Sequence, residues 1–147
     1  MDGDRTQHVL WRLKNGELEG YAARLFVVMI GVNHDPHDSV PERAAGIEAV
    51  VKEIQSRQPQ ARILLLGILV QSPKPSPWRH NNEEINKLIA KLDDGKKVKF
   101  LDIGDKFLNA DQTISRDIMP DFLHPSLKGY AIWAQAIAET VKQTQKR

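Results

Sequence analysis

Two rhythms of hydrophobic and polar positions alternate along this chain. Residues 5–14, "RTQHVLWRLK", place Val9, Leu10 and Leu13 on one face of a helix, with Gly16 as a plausible stop. "RLFVVMIGVN" (24–33) is an apolar run that reads as a buried strand followed by a loop. Pro41 suits the first turn of a second helix, in which Ile47, Val50, Val51 and Ile54 recur at i, i+3, i+4 and i+7. Pro59 lies just past its end. "ARILLLGILV" (61–70) predicts a second strand. "QSPKPSPW" (71–78) predicts a loop whose three prolines exclude regular structure.

A third helix is expected over 79–93, with Ile85, Leu88, Ile89 and Leu92 inward and Gly95 at its C′ position. "KVKFLDIG" (97–104) predicts the third strand, and a long irregular loop follows. The last helix should run from about Ser126 to Gln143, with Leu127, Tyr130, Ala134, Ile137 and Val141 inward. Three strands separated by helices imply a parallel sheet with right-handed crossovers. The first two strands are apolar on both faces, as expected when helices cover both sides. The fold class is therefore α/β, a three-layer α/β/α sandwich. In such sheets function gathers at the carboxyl ends of the strands. Asn33, the proline loop and the loop holding Asp121 and His124 all fall at that edge.

Composition narrows the classes of function. The 147 residues suit one domain, and neither repeats nor low-complexity segments interrupt them. Net charge is +2, with basic residues dispersed, so a nucleic-acid partner is not indicated. Without cysteine there is no disulfide scaffold, thiolate metal site or cysteine nucleophile. The apolar runs "LFVVMI" and "ILLLGILV" are too short for a membrane span. "MDGDRTQHV" lacks the regions of an export signal, so the sequence as it stands reads as cytoplasmic. That expectation lapses if a segment precedes Met1.

Candidate chemistry centres on "MPDFLHPSLKGY" (119–130). Asp121 could orient the ring of His124 while His124 moves a proton in acyl transfer. By spacing alone, a surface Asp beside a helix-flanking His fits as well. Gly31-Val32-Asn33-His34 offers an Asn amide to a developing oxyanion, or simply a turn Asn. "HDPHD" (34–38) contains metal-ligating residue types, but a polar rim of an active site suits it better, and no metal or other cofactor is expected. "PKPSPWRH" could be a polyproline ligand; between a strand and a helix it reads instead as a substrate-side loop, with Trp78 and Arg79 lining a pocket. His8 and His80 read as structural, and "KQTQKR" as a solvated helix end.

Taken together, "GDRTQHVLWRLKNGEL" (3–18), "GVN" (31–33), "RQPQARILLLGIL" (57–69), "ADQTIS" (110–115) and "DFLHPSLKGY" (121–130) resemble the SGNH (GDSL-type) hydrolases. Within them the chain is similar to the catalytic (beta/gamma-type) subunits of intracellular platelet-activating-factor acetylhydrolases and their bacterial relatives. The resemblance implies a flavodoxin-like sheet of five parallel strands, order 2-1-3-4-5. It also implies a carboxylic ester hydrolase acting on short acyl esters through Ser-His-Asp chemistry. His124 would be the general base and Asp121 its orienting partner. Gly3 and Asn33 would form the oxyanion hole. His34 stands where relatives often have Asn or Asp.

The Gly-Asp-Ser block that carries the family's nucleophile is absent. The serines present are Ser39, Ser56, Ser72, Ser76, Ser115 and Ser126, none at a strand-to-helix turn after glycine. The sequence thus reads as a single domain over 1–147, N-terminally incomplete, lacking the first strand–helix–strand unit. Two readings stay open. One is an esterase whose nucleophile lies upstream of Met1, inactive as the chain stands. The other is a non-catalytic pseudoenzyme or association subunit on the hydrolase scaffold. In either, strand 25–30 is expected to lack its outer neighbour and to favour self-association.

Overall fold

The computed structural model describes residues 3–146, with side chains through Thr144. In chain order the elements are α1 (Thr6–Lys14), β1 (Leu25–Val28), α2 (Val40–Arg57), β2 (Arg62–Leu66), α3 (Pro77–Ile89), β3 (Val98–Leu101) and α4 (Leu127–Lys146), with short 3-10 helices at Ala90–Leu92 and Gly104–Phe107. The "KQTQKR" end reaches outside the described residues.

The strands pair in parallel in the order β1-β2-β3, with Val27 opposite Leu64 and Leu64 opposite Lys99. β2 is the central strand, and its period-two alternation divides the core into two layers. Ile63 and Leu65 face Ile47, Val50, Ile54, Ile85 and Ile89 of α2 and α3. Leu64 and Leu66 face Phe107, Met119 and Ile137 on the α4 side. The architecture is thus the expected α/β/α sandwich.

β1 forms one edge of this sheet. Phe26 and Val28 pack into the α2 layer, but on the α4 side Val27 and Met29 stay 40% and 42% exposed. The β3 edge is treated differently: Asp93 accepts from the Phe100 N–H at 3.0 Å and pairs with Lys99 at 2.9 Å. Charge and a satisfied N–H protect that edge from pairing; the β1 edge is apolar.

Three details differ from the sequence expectation. α3 begins at Pro77, two residues early, because Ser76 caps it by accepting from the Arg79 N–H at 3.2 Å and Pro77 needs no donor in the first turn. The third proline starts a helix rather than excluding one. Gly95, at φ +66, does not cap α3. The chain passes through the 3-10 turn first, and Gly95 donates its N–H to Asp93 within the turn before β3. Finally, Leu127, Tyr130 and Ala134 are exposed, Leu127 at 91% and Tyr130 at 56%, whereas Ile137 and Val141 do face the core. In the first turn the buried position is Gly129. A Cβ there would lie 2.5 Å from the Ile118 carbonyl oxygen and 2.8 Å from Pro125 Cβ, so this position must face the crossing loop. Leu127 lies on the opposite side of the helix from Gly129, whereas Tyr130 shares the side of Ile137 and Val141; it is exposed because in its turn it stands at the half-open β1 edge, beside Met29 and Val32. Ile132, Trp133 and Ala136 fill the inner face instead.

Candidate active site

The loop before α4 is built to present two side chains. Phe122 takes φ +60, closing a tight turn. Asp121 Oδ1 accepts from the backbone N–H groups of Leu123 and His124 at 3.0 and 2.8 Å, while its Oδ2 lies 2.6 Å from His124 Nδ1. These hydrogen bonds, that to His124 foremost, hold the Asp121 carboxyl well below the usual carboxylate range. An ionised Asp121 favours a proton on Nδ1 and leaves Nε2 as the ring's acceptor.

The loop is anchored from three sides. Ser126 donates its N–H to the Ile118 carbonyl, and its Oγ caps α4 by accepting from Gly129. Arg116 lies over the Phe122 ring at 4.5 Å. The Ser72 N–H donates to the Phe122 carbonyl at 3.0 Å, tying in the proline loop.

Gly3 and Asn33 come from opposite ends of a short path. Gly3 sits at φ +77 just before α1. Next to it, Asp4 is gripped by Arg12 through two contacts of 3.2 and 2.5 Å, which lowers the acid's pKa. Asn33 Nδ2 donates to the Asp4 carbonyl at 3.3 Å. That bond uses one of its two amide protons and leaves the second for another acceptor. The structure therefore bonds Asn33 to the residue that follows Gly3, and brings Asp121 and His124 together, with Asn33 and the pair on loops that follow the carboxyl ends of the strands.

Beside His124 an apolar crevice of about 140 Å³ is lined by Met29, Val32, Leu69, Leu123, Pro125 and Tyr130. A larger cleft, about 430 Å³, lies near the amino ends of β2 and β3 among Arg62, Lys96 and Lys97, away from both members of the pair.

Other sequence candidates land elsewhere. Arg79 does line a cleft, but its buried guanidinium acts as a staple, donating to the carbonyls of Gln71, Ser72 and Gln112 at 3.2, 2.7 and 2.6 Å. Trp78 sets its ring edge against His34, centroids 5.8 Å apart. The acids of "HDPHD" serve the local backbone: Asp38 accepts from the Asp35 N–H and Asp35 from the His37 N–H. Among the described residues no group of three His, Asp or Glu is disposed to hold a metal ion. The hydroxyls of Ser39, Ser72, Ser76, Ser115 and Ser126 are engaged in caps and turns, and Ser56 lies near the end of α2.

Sequence reasoning missed Arg43 and Asn82. Both are buried, and Arg43 Nη2 donates to the Gly31 carbonyl at 3.0 Å and to Asn82 Oδ1 at 3.1 Å. The signal was their register: Arg43 precedes Ile47 by four on the buried stripe of α2, and Asn82 precedes Ile85 by three on that of α3.

Among the described residues no helix is long and apolar enough to cross a membrane. The GDSL-like lipase/acylhydrolase family matches residues 1–132. The platelet-activating factor acetylhydrolase IB subunit alpha2 of Rattus norvegicus is 44% identical over 143 residues, 96% of this chain and 62% of that protein. The chain thus spans about three-fifths of the length of such relatives. A Streptococcus pneumonia structure, provisionally described as a platelet activating factor, superposes with TM-score 0.79 at 22% identity, covering 94% of this chain and 68% of that one. A carbohydrate acetylesterase from Sinorhizobium meliloti gives TM-score 0.67 at 21% identity, covering 94% and 67%. With that match across most of its length, on a parallel α/β/α sandwich carrying an Asp-x-x-His pair at its carboxyl edge, the chain belongs to the GDSL-like lipase/acylhydrolase family.

Proposed function

We propose that this chain is the oxyanion and proton-transfer portion of a short-acyl ester hydrolase. The observation that carries this reading is the 2.6 Å contact of Asp121 with His124 Nδ1, at the same sheet edge as the Asn33 amide. The nucleophile would be a serine on a strand–helix–strand unit lying beside β1. The apolar, half-exposed β1 edge supports that placement, as does the extra length of the relatives.

In such an assembly the serine Oγ attacks the ester carbonyl and its proton passes to His124 Nε2. Asp121 stabilises the imidazolium. The second Asn33 amide proton and the Gly3 N–H receive the oxyanion. The leaving alcohol takes the proton from His124, and a water deprotonated by the same ring then releases the acid. The crevice at His124 is small and lined by apolar residues, which suits an acetyl or similarly short acyl group. The names of the relatives point the same way.

A second reading is favoured by one observation: no Gly-Asp-Ser occurs, and five of the six serines are engaged in hydrogen bonds of caps and turns. On that reading the chain is a non-catalytic scaffold or association subunit. Both readings predict that these 147 residues hydrolyse p-nitrophenyl acetate no faster than their His124→Ala variant. A His124-dependent rate would make one of the six serines the nucleophile and overturn both. The coding DNA upstream of Met1 separates them. An in-frame Gly-Asp-Ser at a distance of about 30 residues supports the hydrolase; a nearby in-frame stop supports the scaffold.

A further inference from the structure

We infer that Arg43 is a positioning residue for the Asn33 amide, acting through the backbone of residues 31–33. This rests on the reading of Asn33 as an oxyanion donor. Asn33 can aim its amide only if the two peptide planes before it are fixed. The first is held by Arg43, whose Nη2 donates to the Gly31 carbonyl at 3.0 Å. The second is held by His34, whose Nδ1 lies 3.1 Å from the Val32 carbonyl, with Trp78 against the ring at 5.8 Å. Trp78 and Asn82 are four apart on α3 and so share a face. Asn82 aims the guanidinium by accepting from the same Nη2 at 3.1 Å. Helices α2 and α3 thus grip the loop from behind, while the Asp4 carbonyl holds the side chain from the front.

Stability alone does not account for Arg43. It occupies a position of the buried stripe where an aliphatic residue would pack without desolvating a charge. It is only 5% exposed, and burial lowers its pKa. Among the described residues its Nε and the Nδ2 of Asn82 are buried without acceptors, so the pair is incompletely satisfied as a polar network. What the arrangement does achieve is a donor at the Gly31 carbonyl. Gly31 itself, at φ +112, lies so close to Ile47 and Ile68 that a Cβ would meet both, so it brings no side chain of its own to hold the peptide.

The test observes the Asn33 amide directly, by NMR of the full chain, assigned through its loss in Asn33→Asp. In Arg43→Met the two Asn33 Nδ2 protons should move towards the shifts of an exposed amide, and their exchange with water should quicken about tenfold, the scale of one lost hydrogen bond. Arg43→Lys, which retains a donor, should restore most of the protection. The Nδ1 proton between His124 and Asp121 should stay in place throughout. An Asn33 amide unchanged in Arg43→Met overturns the inference. So does an equal disturbance at His124, which would mark general loosening. If Arg43→Met does not fold, Asn82→Leu tests the link from α3: a smaller shift of the Asn33 amide in the same direction is expected, and no shift refutes it. No turnover is needed, so a coupled amide in a protein later shown not to use Asn33 would refute the catalytic reading and leave this inference standing.

Discussion

Gly31→Ala should be among the most damaging single-methyl changes available in this chain. Gly31 leaves β1 at φ +112, outside the comfortable range of any side-chain-bearing residue. That strain costs about 1–3 kcal/mol. A Cβ there would also lie 2.7 Å from Ile47 Cδ1, 3.2 Å from its Cγ1 and 3.3 Å from Ile68 Cδ1. Ile47 is fully buried at the centre of the α2 layer, so relief requires moving the core, at a further ~1–3 kcal/mol. The expected loss is about 2–6 kcal/mol, a large share of the 5–15 typical of a domain. Urea unfolding followed by tryptophan fluorescence measures it. Gly3→Ala is the control: φ is +77, but nothing lies within 4 Å, so only the backbone strain remains. A cycle with Ile47→Val isolates the clash. Valine lacks the Cδ1 atom, and alone costs about 0.5–1.5 kcal/mol. The double variant should lose at least ~1 kcal/mol less than the sum of the two singles. A Gly31→Ala loss below about 1 kcal/mol, or strict additivity with Ile47→Val, would refute the packing argument.

Three further outcomes are expected. Because hydrogen bonding to His124 holds Asp121 below its ordinary range, the folded state binds that proton less readily than the unfolded chain. The contribution is therefore present above the unfolded carboxylate pKa of about 4 and is lost as pH falls below it; the stability gap between the chain and Asp121→Asn should narrow as pH falls from 5 towards 3, and a gap that held or widened over that range would contradict this. Arg79→Met should cost at least about 3 kcal/mol in the same urea assay, because three backbone carbonyls lose a buried charged donor; a near-neutral result would mean that the proline loop does not depend on it. The β1 edge, with Val27 and Met29 bare, should drive concentration-dependent association visible by size-exclusion chromatography with light scattering, and Val27→Lys should suppress it; a monodisperse monomer across dilution would count against edge pairing.

Much of this was legible in the sequence, for physical reasons. Ile47, Val50, Val51 and Ile54 follow the helical period, and helices buried on one face must show it. Strand β2 is apolar at every position from Ile63 to Leu66 because helices cover both of its faces. Asp121 and His124 could be paired as candidates because the contact is local, three residues apart. What resisted reading depended on tertiary neighbours. The first turn of α4 buries Gly129 against the Ile118 carbonyl and leaves Leu127 and Tyr130 exposed, which no apolar count reveals. Arg43 is polar on an apolar stripe, and only the distant Gly31 carbonyl and Asn82 explain it. The bond from Asn33 to the Asp4 carbonyl spans 29 residues and gives no periodic signal.

The central claim is that Asp121, His124, Gly3 and Asn33 form a working half-site that needs only a serine beside β1. The most direct measurement joins the chain, ahead of Met1, to a strand–helix–strand segment carrying Gly-Asp-Ser and follows the hydrolysis of p-nitrophenyl acetate. The account predicts hydrolysis that falls by about 10²–10³ in Asn33→Ala, the usual loss for one oxyanion donor, and by about 10⁴ or more in His124→Ala. Hydrolysis indifferent to His124, or none in a joined chain whose new strand is shown to pair with β1, would contradict it.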